Sequence, residues 1–108
     1  MPENTLVFTP DEAGKVKTKR LTDVYEFTRP LFKEEDICNC VTEIDIIPFA
    51  YVKILAIHRH RFSQILHFDA VAAGYPTLDS FKHVLIKKTP HSVNEETNVW
   101  HIIFELVK

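Results

Sequence analysis

RHRFSQILHFDAVAAGYPTLDSFKHVLIKK, residues 59–88, changes its hydrophobic period partway along, and that change fixes the class of fold. As far as Phe62 it continues an apolar run, 51–58, that is rich in Val, Ile and Leu and reads as a central strand. From Ser63 onward the pattern is helical. Ser63 offers a cap to a short turn carrying Ile65 and Leu66, Asp69 offers one to a second turn over residues 70–73, and Gly74 ends it. After Tyr75-Pro76, Thr77 is the expected N-cap of the clearest helix in the chain. Leu78, Phe81, Val84 and Leu85 form its apolar stripe, Asp79 and Lys87-Lys88 complement its dipole, and Thr89-Pro90 stops it.

Strand patterns flank this helical stretch. Residues 99–107 alternate, with Trp100, Ile102, Phe104 and Leu106 on an expected core face and His101 and Glu105 on the other. Upstream, strands are expected at about 5–9, 21–28 and 37–47, the third placing Cys38, Cys40, Thr42, Ile44 and Ile46 on one buried face. Residues 11–14 read as a turn or a brief helical segment closed by Gly14, and residues 91–98 as a polar loop. Strands with helices gathered between the central strand 51–58 and the last strand do not alternate as βαβ units. An α+β architecture follows, a curved, mostly antiparallel sheet or small barrel with helices over an opening.

A chain of 108 residues with 45% apolar and 11% aromatic content makes one domain, 1–108, with one core. Net charge of -2 points to no particular partner, yet four of the six residues 15–20 are basic. Such a patch still attracts phosphate, because salt screens distant charges beyond about 8–10 Å. If extended, residues 15–20 put Lys15, Lys17 and Lys19 on one face, either as a lysine-protected edge or as an anion platform. Thr18 adds a hydroxyl and Arg20, Arg59 and Arg61 further cations, a set able to hold phosphates beside an aromatic that stacks a base.

Other chemistry finds less support. Cys38 and Cys40, one residue apart on a strand face, read as reduced thiols of a cytoplasmic protein, since same-face neighbours roughly 6.5–7 Å apart strain a disulfide. There is no secretory signal pattern and no apolar run long enough for a membrane helix, so a membrane location is not expected. His58 and His60 share a strand face, but a metal needs a third converging ligand that the sequence does not identify, so no metal is assigned. No glycine-rich phosphate cradle or catalytic serine motif is present, and no cofactor is expected.

Ala13-Gly14-Lys15-x-x-Thr18-x-Arg20 resembles the G-x-K-x-x-T-x-R region of the ASCH domain, in the PUA-like superfamily. Similar likenesses cover residues 32–40, Val52-Lys53-Ile54 with Arg61-Phe62-Ser63, Asp69-Ala70 through Gly74-Tyr75 to Phe81, and residues 100–104. The resemblance implies a PUA-like barrel with helices flanking a cleft that binds RNA or a modified nucleoside. Some members resemble amidohydrolases that deacetylate N4-acetylcytidine with a lysine, a threonine and a glutamate before the glycine-aromatic turn; others are described as ribonucleases. Lys15 and Thr18 match the first two roles. The glutamate is replaced by Ala72-Ala73, leaving Asp69 as the nearest substitute carboxylate. The expectation is therefore an RNA- or nucleotide-binding module using Lys15, Lys17, Thr18, Arg20, Arg59 and Arg61. A nucleoside amidohydrolase or ribonuclease is the alternative, and a protein-interaction domain the second.

Overall fold

The computed structural model describes residues 4–87 and 92–107. Its elements are β1 (Thr5–Phe8), α1 (Pro10–Lys17), β2 (Asp23–Glu26), β3 (Ile37–Thr42), β4 (Ala50–Arg61), a 3-10 turn (Phe62–Gln64), α2 (His67–Ala72), α3 (Leu78–Lys87) and β5 (Asn98–Leu106). The five strands form one sheet in the order β1-β3-β4-β5-β2, with β1 parallel to β3 and every other pair antiparallel. Here the expected barrel is corrected: β1 and β2 are the two edges and do not pair, so the sheet stays open.

Two apolar clusters hold the molecule. Val16 of α1, Leu21 and Phe32 pack with Leu6, Phe8, Cys38, Val52, Ile54, Ile102 and Phe104 on one side of the sheet. Ala70, Ala73, Phe81 and Leu85 of the α2–α3 region pack with Tyr25, Phe62 and Val99 on the other. No helix among the described residues is long and apolar enough to cross a membrane.

Residues 15–20 are not an extended edge. The helix-start signal Thr9-Pro10-x-Glu12 wins: the Glu12 amide donates to Thr9 Oγ1 at 3.2 Å, Thr9 N–H donates to Glu12 Oε1 at 2.9 Å, and Pro10 occupies the first turn. Ala13 and Val16, three apart, then bury one helical face, so Gly14 lies inside α1 and Thr18 caps its end.

β3 stops at Thr42, short of Ile47. Asp45 N–H donates to Thr42 Oγ1 and Ile47 N–H to Asp45 Oδ1, a side-chain turn that leaves Ile44 and Ile46 almost 80% exposed rather than buried (79% and 77%). β2 is likewise shorter than 21–28, and β4 runs past His58 to Arg61. The α3 cap is as expected, with Ser80 N–H donating to Thr77 Oγ1 at 3.1 Å. Asp69 instead sits inside α2 and accepts the Leu66 N–H at 2.8 Å; Leu66, having no side-chain acceptor, gives nothing back. Gly74 has φ 92°, the left-handed turn that glycine permits. The expected helix stop at Thr89-Pro90 and the start of the polar loop at His91 lie outside the described residues.

Cys38 and Cys40 are free and buried. Burial, with Asp36 nearby, pushes the Cys38 thiol up to about 11; burial and Cys38 push Cys40 up to about 12. A thiol reagent at pH 8 should therefore leave both untouched in the native protein and titrate two per chain in denaturant. Rapid native labelling would contradict this burial.

Candidate functional site

Lys15, one turn before the end of α1, reaches across to the α2–α3 turn, where its Nζ comes within 3.8 Å of the position a Cβ on Gly74 would take. With Thr9, Asp11, Glu12, Leu21, Ala73, Tyr75 and Val84 it lines a small cavity of about 170 Å³. Two carboxylates against one ammonium leave that cavity formally negative.

Thr18 is not part of this cavity lining. Its hydroxyl donates to Gly14 O at 3.0 Å and accepts the Arg20 Nε–H at 3.0 Å, so both side chains serve the end of α1. Lys17 extends over the Phe49 ring, 5.6 Å from its centroid. Asp69 lies on α2 near Tyr25, whose phenol burial raises well above its ordinary range, with Asp69 and then Asp23 adding to the rise. Neither Thr18 nor Asp69 is among the residues that line the Lys15 cavity, so of the trio that the sequence would combine for catalysis Lys15 alone lines it.

A second site forms at the far end of β4. Register places Arg59 opposite Trp100 of β5, and the two, with Arg29, Pro30, Phe32, Lys33, Glu34 and Ile57, line a groove of about 480 Å³. This falls in the ~300–1,000 Å³ range of small-molecule clefts, whereas the Lys15 cavity lies below it. Three cations against one carboxylate make it positive. Between the two sites runs a cleft of about 430 Å³ whose lining carries Glu12, Glu26, Glu43 and Arg29, so its formal charge is negative. Arg61 does not join the groove lining: its guanidinium pairs with Glu96 and its backbone N–H donates to Gln64 Oε1.

Of the sequence-derived cations, then, Arg59 meets an aromatic and further positive charge, while Lys15 faces carboxylates. Arg29, Lys33 and Trp100 escape a sequence reading because Arg29-Pro30 marks only a strand end, Lys33 opens an acidic turn, and Trp100 shares the alternation of the core face. Pro30 just before Phe32 and Lys33 is the available signal, an aromatic and two cations in one short loop.

Comparison with solved structures identifies the fold. A protein of Enterococcus faecalis V583 in the DUF984 family superposes with a TM-score of 0.78 at 15% identity, covering 99% of this chain and 77% of that one. The ASCH domain of Lactobacillus crispatus JV V101 gives 0.72 at 10% identity over 94% and 77% of the two chains. ASCH from Zymomonas mobilis gives 0.68 at 9% identity over 99% and 73%. No protein-family model matches the chain, and no curated protein matches it. The fold is ASCH-like, with an open five-stranded sheet in place of a barrel.

Proposed function

We propose that this protein binds single-stranded RNA or a nucleotide in the groove lined by Arg29, Lys33, Arg59 and Trp100. The observation that carries this reading is the meeting of three cations and an indole in one cleft of suitable size. Arg29 and Arg59 supply planar, always-charged donors for phosphate oxygens, Lys33 adds a point charge, and Trp100 gives a base a face on which to stack. The resemblance to ASCH domains agrees with a nucleic-acid ligand. Binding of this kind needs no catalytic carboxylate, so the alanines before Gly74 do not weaken it.

Fluorescence anisotropy of a short single-stranded RNA tests the proposal at two salt concentrations. Trp100→Ala is expected to weaken binding by roughly 5- to 150-fold, the equivalent of about 1–3 kcal/mol for one stacked base. Arg59→Ala should lower affinity and reduce the salt slope by about one. Affinity unchanged in both variants overturns the groove, and absence of RNA or nucleotide binding at low salt would favour a protein ligand instead.

A second reading rests on Glu12. One turn before Lys15, it lines the same cavity beside Ala73 and Tyr75, and so supplies a carboxylate near the position where the family glutamate is missing. In a nucleoside amidohydrolase, Glu12 would activate water and Lys15 would stabilise the oxyanion. Hydrolysis of N4-acetylcytidine that is abolished by Glu12→Gln yet retained by Thr18→Val would support it; no hydrolysis by the wild type would remove it.

A further inference from the structure

Strand alternation sends Arg59 and Arg61 to the groove side of the sheet and His58 and His60 to the opposite side. The register then places His101 of β5 directly across from His58, and Tyr25 of β2 directly across from His101. Three histidines that are far apart in sequence therefore form a triangle, with ring centroids 6.2 Å apart for His58–His60, 6.3 Å for His58–His101 and 6.1 Å for His60–His101.

One corner of the triangle is fixed. His101 stacks on Tyr25 at 4.3 Å with an interplanar angle of 6°, and its Nε2 lies 2.8 Å from Asp23 Oδ2. The other Asp23 oxygen accepts the Thr22 hydroxyl at 2.7 Å. With Nε2 committed to the carboxylate, Nδ1 is the nitrogen left to coordinate, and a carboxylate behind a ring nitrogen is the usual support of a metal-binding histidine. The other two corners are freer, His58 being exposed and His60 half-buried.

Three imidazoles that share one tetrahedral ion have centroids roughly 5 Å apart, from metal–nitrogen bonds of about 2.0–2.1 Å. As they stand, no three donors among the described residues converge on one point. Closing the triangle takes about 1 Å per side, within reach of side-chain rotation at His58 and His60. We propose that His58, His60 and His101 bind a zinc-class divalent ion, with Asp23 orienting His101. Three neutral nitrogens favour zinc, copper or nickel over magnesium or calcium. The fourth position is left to water, as in catalytic rather than structural zinc sites.

The test uses untagged, chelator-treated protein titrated with Co(II) and then Zn(II). One equivalent of Co(II) should bind with the strong visible bands of four-coordinate cobalt, and Zn(II) should abolish them. His58→Ala, at an exposed position, should weaken binding at least about tenfold, and His60→Ala likewise. Because His101→Ala also removes the stack on Tyr25, the two β4 variants carry the decision. Failure to saturate with cobalt, or binding that survives both substitutions, overturns the site.

Discussion

Replacing Phe81 with alanine is expected to lower the stability of the protein by about 3–5 kcal/mol, the usual cost of emptying a large aromatic site. Phe81 is 3% exposed and meets Tyr25 edge-on at 5.1 Å and Tyr75 at 5.0 Å. The same buried cluster holds Ala70, Ala73, Leu85 and Val99, smaller side chains that refill little of the space. The loss reaches two neighbouring features, because Tyr25 carries the His101 ring and Tyr75 lines the Lys15 cavity. Urea unfolding would measure it, with Phe81→Leu costing less and Phe68→Ala, at a residue 79% exposed, staying within about 0.5 kcal/mol. Equal losses at Phe68 and Phe81 would refute the burial argument.

The second large effect is expected at Asp23. Its side chain and that of His101 are only 15% and 13% exposed, so Asp23→Ala strands a largely buried imidazole and should cost about 1.5–3 kcal/mol. Burial alone would raise the Asp23 carboxyl, but hydrogen bonds from His101 and Thr22 together with the His101 charge outweigh it and hold the group below its ordinary 3.8. A depressed folded pKa stabilises the protein fully above the unfolded value and ceases to do so as pH falls through the folded one. Wild type and Asp23→Asn should therefore differ most near neutrality and converge below about pH 4. A gap that widens in acid would reverse this account.

Local signals are legible where one element decides its own structure. The hydroxyl of Thr77 and the spacing of Leu78, Phe81 and Leu85 suffice for α3, as Ile102 and Phe104 do for the buried face of β5. Lys15, Lys17 and Lys19 mislead because a lysine at every second position is compatible with strand and helix alike. The deciding information lies upstream, in the cap formed by Thr9 and Glu12. The candidate sites are harder still, since both depend on which strands lie side by side. The motif His58-x-His60 is visible, but its third member emerges only from the register of β4 on β5. Trp100 shows its side of the strand but not that the packed cluster ends at Ile102, leaving the indole over a groove.

At Leu55 the central strand carries a bulge. Between Ile54, paired with Phe104, and Ala56, paired with Ile103, β4 spends one more residue than its partner. Strict alternation counted from the buried Ile54 would send His58 and His60 to the core side and Arg59 and Arg61 away from it.

The position of β5 also has a temporal consequence. The last strand along the chain is inserted between β4 and β2, so β2 has no neighbour in the sheet until β5 arrives. Closing so long a loop is slow, and strand pairing of high sequence separation sets the pace of folding. Trp100 and His101, neighbours on that strand, face opposite sides of the sheet; the groove and the histidine triangle are thus born in the same late step, and neither can exist in a partly folded chain that has yet to seat it.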